Sequence, residues 1–83
     1  MEPEPYEKLW PSNSSVGRRI AMSTSGVCRL RMGNRLPSNE VMHRIEDAYD
    51  WPILDQFAAI NRGTYAQDFD RMLKDESKSR AAA

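Results

Sequence analysis

Five arginines, Arg18, Arg19, Arg29, Arg31 and Arg35, fall between Ser15 and Leu36 with no acid among them. The stretch from Glu46 to Glu76 has the opposite balance, eight acids against three bases, and the chain as a whole sums to zero. Attraction to a polyanion depends on the potential within about a Debye length, so a neutral chain with its arginines gathered in one block still offers such a partner a positive face. A solvated, arginine-rich helix pair with no partner explains the same charges. Within the block Ser25 and Arg29 are four residues apart, which on a helix puts a hydroxyl and a guanidinium on one face.

Other chemistry lacks the residues it needs. Cys28 is the one cysteine and His43 the one histidine, so neither an internal disulfide nor a cluster of zinc ligands can be assembled. Cys28 reads as a small reduced side chain and His43 as a partly exposed surface residue. Glu40, Glu46 and Asp47 have no nucleophile or second metal ligand to work with, and a chain of 83 residues leaves little room to enclose a substrate cavity. No enzyme, cofactor or metal is expected. The chain lacks a run of about 18 apolar residues, and its acidic Met1-Glu2-Pro3-Glu4-Pro5 start is unlike a signal peptide. These features imply a cytoplasmic protein with no membrane contact, a single domain over 1–76 and a disordered tail over 77–83.

Turn and capping residues divide the chain into short helices. Tyr6 to Trp10, bracketed by prolines, has room for an abbreviated first helix. Ser12-Asn13-Ser14-Ser15 is rich in N-cap types, with the cap placed at Asn13 or Ser14, and Val16 and Ile20 follow at i, i+4, predicting a helix over about 14–20. Ser23-Thr24-Ser25 caps another, with Val27 and Leu30 inside and Gly33 as its left-handed stop after Met32. Ser38-Asn39-Glu40 opens a longer helix with Val41, Met42, Ile45, Ala48 and Tyr49 on one face. Pro52 suits the first turn of a fourth clear helix, carrying Ile53, Leu54, Phe57, Ala58 and Ile60. From Thr64 to Lys74 an amphipathic stripe of Tyr65, Phe69, Met72 and Leu73 must bury itself on the body or on another chain, and these four are the candidate dimer interface.

Asn13 to Leu30 meets the steric demands of a helix-turn-helix. Two crossing helices need one small residue where they touch, which Gly17 supplies, and apolar residues to lock them, which Val16, Ile20, Met22, Val27 and Leu30 supply. The segment resembles the lambda-repressor-like (Cro/repressor, XRE-type) family of helix-turn-helix DNA-binding domains. Gly33-Asn34-Arg35-Leu36-Pro37-Ser38 is similar to that family's loop after the recognition helix, and Ile45 to Phe57 continues the register. The resemblance covers about 13–57 and implies an all-α, five-helix bundle with an extra C-terminal helical segment. The chain departs from the family in three places: Ala21 stands where a turn glycine is usual and must accept a positive φ, the first helix is much shorter, and the acidic head replaces a basic arm. Gly26 inside the recognition helix implies a close approach, either by a neighbouring helix or by DNA.

Carried over position by position, the resemblance implies that Thr24, Ser25 and Arg29 read bases. Arginine can pair bidentately with guanine, and the short hydroxyls can reach nearby edges. Asn13, Ser14, Arg18, Arg19, Ser23, Asn34 and Arg35 are the corresponding candidates for the DNA backbone. The expectation is a sequence-specific regulator of phage or prophage type, a Cro-like protein or small repressor that occupies a double-stranded operator as a homodimer. The alternative is a protein-interaction module of the antitoxin or anti-regulator kind with an autoregulatory or vestigial helix-turn-helix. The ending Ser79-Arg80-Ala81-Ala82-Ala83 is similar to degradation tags read by bacterial ATP-dependent proteases, so a host protease is a further candidate partner.

Overall fold

A computed structural model describes the backbone of residues 11–82 and the side chains of residues 11–76. Every regular element there is helical: α1 (Asn13–Ile20), α2 (Thr24–Met32), α3 (Asn39–Tyr49), α4 (Ile53–Arg62) and α5 (Tyr65–Ala82). The all-α, five-helix class expected from sequence is the class observed. The segment from Tyr6 to Trp10 lies outside the described residues.

Local chemistry explains most boundaries. Ser12, Ser23 and Ser38 sit in extended conformation just before α1, α2 and α3, and each hydroxyl accepts from a backbone N–H in the first turn. The cap of α1 is therefore Ser12, one residue before the expected pair, because its Oγ reaches the Ser15 N–H at 3.2 Å. Pro52 precedes α4 as its cap residue and not as its first helical residue. At the C-terminal ends Gly33 and Gly63 take positive φ, as glycine does at little cost. Ala21 (φ 54°) and Asp50 (φ 61°) do the same with a Cβ attached. The positive φ demanded of Ala21 is thus present. The Ala21 carbonyl also accepts from Arg44 of α3 at 3.4 Å.

Tertiary packing sorts the rest. Val16 and Ile20 of α1, Val27 and Leu30 of α2, and Val41, Ile45 and Tyr49 of α3 meet Ala59 of α4 and Tyr65, Phe69 and Leu73 of α5 in one core. Tyr65, Phe69 and Leu73 are 3%, 0% and 0% exposed, so the proposed dimer stripe is interior to a single copy, with Met72 half-buried beside it. The physical reason is that α2 and α4 offer α5 a complete apolar seat. Burying each large side chain there is worth about 1.5–3 kcal/mol, with no second chain required. Trp51 stacks on Tyr65 and Phe69 at 5.1 and 6.3 Å between ring centroids, closing the seat from the α3–α4 connection.

Helix α4 has a different inner face from the one its apolar residues suggest. Gln56 is fully buried and Leu54 is 79% exposed. The Gln56 amide donates to the carbonyls of Met42 and Trp51 and accepts from the Tyr65 hydroxyl at 2.8 Å, so every polar atom of this interior side chain is satisfied. Burial pushes the Tyr65 hydroxyl above its ordinary range, which keeps it a neutral donor. Helix α5 also runs on through Ser77 to Ala82, where a disordered tail was expected. Lysine, arginine and alanine are good helix formers, and an ordered helix already precedes them.

Candidate nucleic-acid interface

The turn between α1 and α2 is built on a close backbone approach. A Cβ at Gly17 would lie 2.4 Å from the Met22 carbonyl oxygen, while the Met22 N–H donates to the Gly17 carbonyl at 2.8 Å. Gly17 is therefore the small contact residue, and what it touches is the turn, with Val27 of α2 next at 3.6 Å. Gly26 is buried, and a Cβ there would meet Met22, Ser23 Oγ and an Arg35 guanidinium nitrogen at 3.0–3.3 Å. The close approach at Gly26 thus comes from the turn and the following loop, and not from a neighbouring helix.

This geometry leaves one side of α2 open. Val27 and Leu30 are fully buried, whereas Ser23, Thr24, Ser25 and Arg29 are all exposed. Helical spacing puts Ser25, Cys28, Arg29 and Met32 in one outward row, with Thr24 on its flank at the N-terminal end. Cys28 and Met32 belong to that row although the roles carried over from the resemblance omit them. The i+3 and i+7 spacing from Ser25 would have found them. Met32 is 67% exposed, and the Cys28 thiol lies 3.6 Å from its sulfur.

The arginines divide into two sets. Arg31 is nearly enclosed: it donates to Asp70 at 2.6 and 2.9 Å, to Asn13 Oδ1 at 3.0 Å and to the Pro11 carbonyl, tying α1 and α2 to α5. Arg19 lies 4.2 Å over the Tyr49 ring, donates to the Ala48 carbonyl and sits 3.6 Å from Glu76. Arg19 was expected to be available to a DNA backbone. It is exposed, and it also braces α1 against α3 and α5, because an aromatic face, a carbonyl and a carboxylate converge on it. Asn13 is half-buried, with its oxygen committed to Arg31.

Arg44, Arg62, Arg71 and Lys74 each have a carboxylate partner as well. Among the described residues Arg18, Arg29 and Arg35 have none, and all three are exposed. Arg18 makes only a long 3.4 Å bond to Ser14 Oγ. Arg35 approaches the N-terminal turn of α2 beside Gly26, and Asn34 is exposed next to it. Of the candidate site, then, Ser14, Arg18, Arg19, Ser23, Thr24, Ser25, Arg29, Asn34 and Arg35 are at the surface, with Arg19 also held by Tyr49 and Glu76. The first-turn N–H groups of α2 add a fixed positive end to the same neighbourhood.

Two half-buried carboxylates on α5 hold their charge through such pairs. Asp68 is held below the usual carboxylate range by the Thr64 hydroxyl, 2.8 Å away, and by Arg62 and Arg71. Burial acts to raise Asp70, and hydrogen bonds from Lys74 and Arg31 outweigh it, so this group too is lowered. Among the described residues no helix is long and apolar enough to cross a membrane. The alanine ending falls on residues whose side chains lie outside the described ones.

In comparison with known proteins, the chain matches no family model, and no curated protein or solved structure matches it significantly.

Proposed function

We propose that this protein binds double-stranded DNA in a sequence-selective way and regulates transcription by occupying an operator. One observation carries the reading: among the described residues the three arginines left without a carboxylate, Arg18, Arg29 and Arg35, all belong to the helix-turn-helix block, with the hydroxyls of Ser23, Thr24 and Ser25 exposed among them. Leaving arginines unpaired in a chain with as many acids as bases has little value for stability, and it is what an anionic partner needs. Arg29 and Ser25 read base edges, and Arg18 and Arg35 bind phosphates. One such helix reads too few base pairs for useful selectivity, so two copies act on a two-fold site.

Selection from random duplexes followed by titration at several salt concentrations tests this. Arg29→Ala is expected to cost about 1–3 kcal/mol on the selected site and to relax one base position. Arg35→Ala should weaken all sequences alike and reduce the salt slope by about one. Retention that ignores sequence, or does not weaken with salt, overturns the proposal.

Asp47, Asp50, Asp55 and Asp75, exposed and without an ion pair among the described residues, favour a second reading, in which the acidic side binds a basic partner protein and the helix-turn-helix is autoregulatory or vestigial. A protein with no affinity for duplex DNA would favour that reading over the first.

A further inference from the structure

Four large apolar side chains are exposed among the described residues: Met32, Leu36, Leu54 and Phe57. Met32 and Leu36 stand beside the unpaired Arg29 and Arg35, where a second copy would bring like charges together. Leu54 and Phe57 are in a different setting. They share the outer face of α4 with Ala58 and Asn61, opposite the buried Gln56 and Ala59, and this row carries no charge. An uncharged, apolar row is compatible with its own copy, which an isologous contact requires.

The flank of the row supplies the orientation. Asp55 and Arg62 are seven residues apart, so they lie on one side of α4 about 10 Å apart along its axis. When two copies of a helix pair antiparallel about a two-fold axis, each flank meets its own reversed image. Asp55 then stands opposite Arg62 of the second copy, and the reciprocal pair forms by symmetry. Asp55 is exposed and has no ion-pair partner among the described residues. Arg62 contacts Asp68 at 2.9 Å and keeps 59% of its side chain exposed. Antiparallel packing also sets the two helix dipoles head to tail.

We infer that α4 is the homodimer interface, with Leu54 and Phe57 as anchors and two symmetry-related Asp55–Arg62 pairs fixing an antiparallel register. The use of the pair on a two-fold operator rests on the DNA-binding reading, but its existence does not. One helix face is below standard interface size, so the free dimer is weak, with a dissociation constant of about 10–100 μM.

Sedimentation equilibrium from about 10 μM to 1 mM, without DNA, tests it across that range. The wild type should pass from monomer to dimer. Leu54→Lys, at a site too exposed to upset the core, should weaken association at least about tenfold while keeping the helical circular-dichroism spectrum. Asp55→Arg and Arg62→Asp should each weaken the homodimer, and an equimolar mixture of the two folded variants should form heterodimers in preference to either homodimer. A wild type that stays monomeric throughout, a dimer indifferent to Leu54→Lys, or a mixture without heterodimer preference overturns the inference. Binding to an isolated half-site duplex is read separately. Leu54→Lys should leave it unchanged, so loss of the dimer and loss of DNA recognition are told apart.

Discussion

Replacing Gly17 by alanine sets two physical effects against each other. Glycine inside a helix costs about 1 kcal/mol relative to alanine, so propensity alone predicts that Gly17→Ala stabilises α1. The structure predicts the opposite. The new Cβ would stand 2.4 Å from the Met22 carbonyl oxygen, about 1 Å inside ordinary contact, and the obstructing atom is backbone. Moving it disturbs the 2.8 Å bond from the Met22 N–H to the Gly17 carbonyl and the left-handed Ala21 between them. Overpacking of this kind costs about 1–3 kcal/mol, here toward the upper end, and a weakened backbone bond adds about 1. After the propensity gain the net destabilisation is about 2–3 kcal/mol. For a domain of this size that lowers the melting temperature by about 10–20 °C. Urea and thermal unfolding followed by circular dichroism measure it. The variant that remains folded should also bind duplex more weakly, since the turn sets the angle at which α2 is presented. A variant as stable as the wild type, or more stable, would refute the claim that the α1–α2 crossing depends on a missing side chain.

Three further outcomes are expected. Ala21→Gly should raise stability by about 1 kcal/mol, because glycine adopts φ 54° without the Cβ penalty, and a lower melting temperature would contradict that. Tyr65→Phe should cost about 1–3 kcal/mol, more than an exposed hydroxyl deletion, since it leaves the buried Gln56 oxygen without its donor; the reading is checked by the double variant with Gln56→Leu, in which the two losses should be less than additive. Asp68 and Asp70 are lowered in the folded state, so the unfolded chain takes up their protons first as acid is added. Their stabilisation is complete above about pH 4 and is lost as pH falls through the lowered folded values. Acid titration of unfolding should therefore show a steep limb below about pH 4 that becomes shallower in Asp70→Asn; an unchanged limb would remove Asp70 from the account.

The parts of the molecule legible in the sequence are those governed by neighbours within one turn. Ser23, Ser38, Gly33 and the αL-forming Ala21 act on backbone groups two to five residues away, so caps and stops could be placed to within a residue. The exposure of Thr24, Ser25 and Arg29 was equally legible, because Val27 and Leu30 declare the inner face of a short helix. Arginine chemistry was not. Arg19 and Arg31 look like Arg18 and Arg29 in the sequence, and only contacts 29 to 57 residues away, at Ala48, Asp70 and Glu76, turn them into braces between helices.

The α4 and α5 faces show the same division. Periodicity told that Tyr65, Phe69 and Leu73 share a stripe, and nothing local could say whether the body or another copy covers it. Apolarity put Leu54 and Phe57 inside and left Gln56 out. The fold reversed this because three polar partners for one amide, two carbonyls and a phenol, come together only once α3, α4 and α5 are assembled. Sequence sets which backbone groups each residue satisfies nearby. Which long side chains remain available to a partner depends on what distant segments bring to them, and that is settled only when the helices pack.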